Sequence, residues 1–177
     1  LTDESQVPDY QLPDPLICSD GTPVTTPQTW IKKRRPEILS LFERYVYGRV
    51  PRKTVHTRIG EIESSDTALA GKAVRKAVSI HFNERVSMNL LIYLPRKAPA
   101  PVPLFVGLNF FGNHTIHTDP DISLAAGWVP NREDVSLVDH QATPASRGVS
   151  ASRWPVETIV ERGYGLATIY CGDLDPD

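Results

Sequence analysis

Two apolar runs constrain the architecture most. Leu104-Phe105-Val106-Gly107-Leu108-Asn109-Phe110 and residues 164–170 are each of strand length, and a short helical pattern lies just before the second. A strand, a covering helix and a second strand make the crossover unit of a parallel sheet, whose strands read as continuous apolar runs because both faces are buried. The first run therefore predicts an interior strand covered on both sides. The helix opens at Trp154-Pro155, carries Val156, Ile159 and Val160 on one face and stops at Gly163.

Upstream, the hydrophobic period is two. Val55, Thr57 and Ile59 alternate with polar residues, residues 73–82 form a second candidate strand, and Val86, Met88, Leu90, Ile92 and Leu94 a third. Asn83-Glu84 supplies the hairpin turn between the last two, and Leu91 and Tyr93 predict burial on both faces toward the end of the third. Antiparallel strands leading into a parallel pair give an α/β fold.

Before the strands, Thr26-Pro27 has the form of an N-cap followed by proline at the first helical position, and Pro36 restarts or kinks that helix. Ile38, Leu41, Phe42 and Tyr45, widened by Leu39 and Val46, predict a buried helical stripe that ends at Gly48, with Pro51 closing the exit. Pro8, Pro13, Pro15 and Pro23 make residues 1–24 an extended arm, and residues 25–177 the domain it lies on.

Composition narrows the function classes. A formal charge of −2 leaves no global field to collect nucleic acid or an anionic membrane, and no apolar run approaches the roughly 20 residues of a membrane span. The basic cluster Lys32-Lys33-Arg34-Arg35 reads as a solvated helix face. Cys18 and Cys171 show no zinc spacing and read as unpaired thiols. The chain begins at Leu1 with no basic and apolar leader pattern, consistent with a removed signal peptide or a trimmed sequence.

In an open α/β sheet, ligands bind beyond the carboxyl ends of the parallel strands. Two stretches qualify, residues 111–117 and 172–177. In the first, Gly112 would let backbone amides approach a tetrahedral oxyanion, with Phe111, Asn113 and His114 beside it as an active-site wall. The competing reading is a glycine turn with Asn113 bonding its own backbone and solvated histidines.

Asn113-His114-Thr115 is a glycosylation sequon. His114, His117, Asp119 and Asp121 hold metal-ligating groups without a recognised spacing, so no metal site is assigned to them. Asp173, Asp175 and Asp177 read as a turn around Pro176. A nucleophilic serine would sit in a G-x-S-x-G elbow after an apolar strand, and none is present; Ser146, Ser150 and Ser152 read as capping residues.

Several motifs together carry a family resemblance. Asp20-Gly21-Thr22-Pro23-Val24, Arg34-Arg35-Pro36-Glu37-Ile38, Tyr47-Gly48-Arg49-Val50-Pro51, Gly107-Leu108-Asn109-Phe110, Gly112-Asn113-His114-Thr115, Ser152-Arg153-Trp154-Pro155 and Arg162-Gly163-Tyr164-Gly165-Leu166 resemble the bacterial glucuronoyl-esterase-like proteins, also labelled acetyl xylan esterases. The resemblance implies the first part of an α/β-hydrolase three-layer sandwich, incomplete in this chain. It implies hydrolysis of carbohydrate esters of xylan-type glycans by a serine, a histidine and an acidic residue, without metal or other cofactor, in a secreted or periplasmic protein. All three catalytic groups are expected beyond Asp177, which leaves residues 111–114 as the part of the site carried here.

Such a chain would be a piece of a larger protein. It would be completed by a C-terminal half or another copy, because the 164–170 strand would lack its parallel neighbour and expose an apolar edge. The alternative is a non-catalytic carbohydrate-binding or assembly module, with Trp128, Trp154 or Phe111 as stacking platforms.

Overall fold

The computed structural model describes residues 3–50, 52–99, 101–132 and 136–175. The chain divides into two compact units, Leu1–Thr54 and Val55–Asp177.

In the first unit, turns at Glu4–Gln6, Asp14–Ile17 and Cys18–Gly21 break up the stretch expected to be an extended arm, and an isolated bridge joins Ile17 to Pro23. The Thr26 hydroxyl accepts the Thr29 amide at 3.1 Å with Pro27 at the first helical position, as the sequence predicts. Pro36 has no N–H to return to the preceding turn. The helix accordingly widens across Trp30–Arg34, where the Arg35 amide reaches back five residues to the Trp30 carbonyl, and then continues as Arg35–Tyr45. Gly48, with φ of 71°, lies just past its end.

Two expectations fail in this unit. Arg34 is buried rather than solvated: its guanidinium donates to the carbonyls of Pro15 and Asp14 at 3.0 and 3.2 Å and pairs with Glu37 at 3.2 Å. The side chain ties the arm to the helix, so its charge is used locally. The helical stripe is open, with Leu39, Leu41, Phe42 and Tyr45 all exposed.

The second unit is a five-stranded mixed sheet in the order β1-β2-β3-β5-β4. The strands are β1 (Arg58–Thr67), β2 (Ala73–His81), β3 (Ser87–Pro95), β4 (Leu104–Asn109) and β5 (Gly165–Tyr170). β1 begins three residues later than the alternation suggests and runs further, bulging near Gly60 where the Ser79 hydroxyl accepts the Glu61 amide at 2.8 Å. The β2–β3 turn is fixed by the Asn83 side chain, which accepts the amides of Arg85 and Val86 at 2.8 Å each.

β5 lies inside the sheet, antiparallel to β3 and parallel to β4. This corrects the expectation that the 164–170 strand lacks a parallel neighbour. Among the described residues β4, like β1 at the other end of the sheet, pairs on one side only, and Val106 and Leu108 are 69% and 53% exposed. The run expected to be covered on both faces is thus an edge. Its apolar sequence reflects surfaces that the described residues do not cover.

One face of the sheet is packed. Ala73, Leu91, Tyr93 and Leu166 meet Ile116, Ile122, Val156 and Val160 in a single core, with Trp154 and Ile159 at its margin. The helix on this face spans Val156–Glu161, with Pro155 just before it rather than inside it. The opposite face carries the register row Ile62, Val78, Leu90, Ile169 and Leu108. Burial of β3 is therefore complete on the Leu91 and Tyr93 side and partial on the Leu90 and Ile92 side.

Candidate functional site

At the carboxyl end of the parallel pair, β4 finishes on a buried polar residue. Asn109 is 2% exposed, and burying an amide costs free energy unless each polar atom finds a partner. All of its hydrogen-bonding atoms are used. Oδ1 accepts the Gly112 amide at 2.9 Å, while Nδ2 donates to Asn113 Oδ1 at 2.7 Å and to Thr168 Oγ1 at 3.0 Å. Asn113 Nδ2 donates in turn to the Asn89 carbonyl at 2.7 Å, and the Asn89 amide donates to Asp173 Oδ2 at 2.9 Å. Burial pushes the Asp173 carboxyl above its ordinary value, with the Asn89 amide working against that shift. The loop after β4 and the loop after β5 are thereby joined through β3.

Residues 113–116 form one tight turn, entered through Gly112 at φ of 101°. His114 is fully buried, and its Nε2 lies 2.9 Å from Ser146 Oγ. The Ser146 hydroxyl donates to the Thr143 carbonyl at 2.7 Å, so Nε2 carries the ring proton and donates to Ser146. Nδ1 is then an acceptor, buried without a protein partner. Burial, and secondarily the Arg147 charge, hold the His114 pKa down to about 4, so the ring is neutral near pH 7. A segment on the far side completes the cradle: the amides of Gly148 and Ser150 donate to the carbonyls of His114 and Thr115 at 3.1 and 2.9 Å.

The descending loop is pinned by Asp119. Its Oδ2 accepts from Arg75 Nη1 at 2.7 Å and from the Tyr93 hydroxyl at 2.9 Å, while Arg147 Nη1 donates to the carbonyls of Asp119 and Ile122. Burial opposes ionisation of Asp119, but the Arg75 bond and two further donors outweigh it and the carboxyl pKa falls. Burial, reinforced by the Asp119 charge, raises the Tyr93 phenol.

Of the four wall candidates, Gly112, Asn113 and His114 are buried within the turn, and Phe111 is half-buried. Phe111 packs beside Val129, Leu137 and Tyr170, with the Arg132 guanidinium 5.1 Å from its ring centre. Asn113, Asn89 and Asp173 also line a cleft of about 120 Å³. The expected solvated histidine is contradicted at position 114, because the ring fills space left by the glycine. The sequon asparagine is buried with its amide committed to Asn89.

The remaining candidates disperse. His117 Nδ1 accepts the Asp119 amide at 3.0 Å and its Nε2 lies 3.6 Å from Glu157, so His117 and His114 serve different contacts. Trp128 stacks on His140 at 4.8 Å, and the Trp154 ring lies over Gly107, where an added Cβ would come within 3.0 Å of it. Ser146 is fully buried and holds a turn. Ser150 makes no side-chain cap bond. Pro176 and Asp177 fall outside the described residues, while Cys171–Asp173 form one short turn. Cys18 is buried and Cys171 half-buried, both as free thiols. No helix among the described residues is long and apolar enough to cross a membrane.

Asn109 and Arg147 are absent from the site residues expected from the sequence, although Asn109 stands in one of the motifs quoted above. The available signal was Asn109 itself, an amide closing an apolar strand.

No family model matches the chain. A curated carbohydrate esterase, MZ0003, from an unknown prokaryotic organism is 49% identical over 178 residues, which cover 99% of this chain and 41% of that protein. Among solved structures, a promiscuous CE15 esterase from a marine bacterial metagenome aligns with a TM-score of 0.82 at 49% identity, over 99% of this chain and 44% of its own. A glucuronoyl esterase from Solibacter usitatus aligns with a TM-score of 0.80 at 42% identity, over 98% and 44%. The chain spans less than half the length of these relatives. Its five-stranded mixed sheet with helices matches the first part of their α/β-hydrolase fold.

Proposed function

We propose, from the premise that this chain is an N-terminal portion of the glucuronoyl-esterase-like carbohydrate esterases, that the protein it belongs to hydrolyses esters on plant cell-wall glycans. The substrate class is a glucuronoyl or acetyl ester of a xylan-type polysaccharide. The chain contributes the opening of the sheet and one wall of the active site, at Phe111, Gly112, Asn113 and His114. The nucleophile, base and acid come from polypeptide beyond Asp177, and a secreted or periplasmic location fits a polymeric glycan substrate. Residues 1–24 are read as an N-terminal arm and residues 25–177 as the N-terminal portion of the hydrolase domain.

The observation that carries this reading is the turn at Gly112, at the carboxyl end of the parallel β4/β5 pair. A reacting ester there would meet backbone and a half-buried aromatic ring instead of flexible side chains. The open edge of β4 supports completion by further polypeptide.

The test is turnover of a methyl glucuronate ester and an acetylated xylan by the longest polypeptide carrying this sequence, with and without a serine-directed phosphonate. Turnover abolished by the phosphonate supports the reading. Turnover that resists the phosphonate and the mutation of every serine contradicts it.

A further inference from the structure

We infer that Asn109 is a positioning residue that sets the loop after β4 and the loop after β5 as one unit; the inference rests on the reading of residues 111–114 as an active-site wall. Three features single it out. Its side chain is 2% exposed and sits at the last position of β4, where strand geometry gives way to the turn. Its amide makes one accepting and two donating contacts, and the Gly112 amide fixes which end is oxygen. Its partners lie on separate elements: Gly112 and Asn113 in the wall, and Thr168 on β5.

No other side chain of this size meets those demands. Aspartate offers only acceptors and would set a carboxylate against Asn113 Oδ1. Leucine would leave the Gly112 amide and the Asn113 carbonyl oxygen buried without partners. The chain of bonds runs on through Asn113 and Asn89 to Asp173, so a displacement at Gly112 is transmitted to the 171–175 loop. Asn109 touches no reacting atom in this account. Its part is to hold the wall at the distance the ester requires, since a small misplacement of a preorganised group lowers the rate more than it weakens binding.

The test uses Asn109→Asp and Thr168→Val in the longest polypeptide carrying this sequence. Amide hydrogen exchange is followed at Gly112 and Asn89, and ester kinetics are measured in parallel. The expected result for Asn109→Asp is exchange faster by about tenfold at both amides, with kcat reduced about tenfold or more and KM within about twofold. Thr168→Val, which removes one acceptor without changing volume, gives the same pattern at smaller amplitude and serves where the aspartate variant does not fold. Acceleration at Gly112 alone, no acceleration, or a rise in KM at constant kcat overturns the inference. If the unmodified protein hydrolyses no ester, the esterase reading fails, while the exchange results still decide whether Asn109 couples the loops.

Discussion

Gly112 and His114 compete for one volume. A Cβ at position 112 would lie 2.7 Å from both Nδ1 and Cε1 of His114, and 3.0 Å from the Ala125 Cβ, in addition to the strain of φ at 101°. Gly112→Ala is therefore expected to lower stability by about 2–4 kcal/mol, through left-handed strain and overpacking together. His114→Ala in the same background relieves the packing share and leaves the backbone share. Urea unfolding of both single variants and the double variant measures the coupling, and strict additivity would show that the two residues do not share space.

His114 also predicts a pH dependence. Its folded pKa is depressed to about 4, against 6.5 for the unconstrained ring. Above pH 6.5 neither the folded nor the unfolded ring is charged. As pH falls from 6.5 toward 4, the unfolded chain binds a proton that the folded chain excludes, and stability falls by about 2–3 kcal/mol. The raised Asp173 carboxyl acts with the opposite sign and blunts the loss. In His114→Gln, the difference in unfolding free energy between pH 7.5 and pH 5 should shrink. An unchanged difference would assign the acid sensitivity elsewhere.

Asp119 and Arg75 form the ion pair that fastens the loop to the sheet, 2.7 Å apart with both side chains mostly buried. Removing Asp119 leaves the buried Arg75 only the exposed Asp121 carboxylate, 3.3 Å from its second guanidinium nitrogen. Asp119→Ala is expected to cost about 3–4 kcal/mol, more than Tyr93→Phe, which removes one hydrogen bond and costs about 1 kcal/mol. Chemical denaturation of the two variants ranks them directly, and a larger loss for Tyr93→Phe would contradict the assignment of Asp119 as the anchor.

The open edge of β4 gives a test of solution behaviour. Val106→Lys in the 177-residue chain places a charge on an exposed strand, so it should change stability by less than about 0.5 kcal/mol while lowering self-association. Light scattering on the two chains checks this. The same substitution in a longer polypeptide should be destabilising if further sequence covers this edge.

The elements were legible wherever a local rule decided them. Thr26-Pro27 announced its cap, Asn83 its turn and Gly163 the end of the Val156–Glu161 helix, because each depends on neighbouring residues alone. The sheet order was not legible. Residues 104–110 and 164–170 are equally apolar, and the reason β5 is interior and β4 the edge lies in long-range pairing with β3. Arg34 departs from the solvated face expected of a basic run because the carbonyls of Asp14 and Pro15 close over it. At the candidate site, Gly112 was visible as a special backbone position. The network through Asn109, Thr168, Asn89 and Asp173 joins three strands and could not be read from spacing.

Residues 111–114 are proposed to wall an ester-hydrolysing site. The most direct measurement is a crystal structure of the longest polypeptide carrying this sequence, trapped with a serine-directed phosphonate. The phosphonyl group is expected beside Phe111 and Gly112, at the carboxyl end of β4, with the Asn109 to Gly112 bond intact. An adduct remote from that turn, or a labelled protein in which the turn faces away from the modified serine, would contradict it.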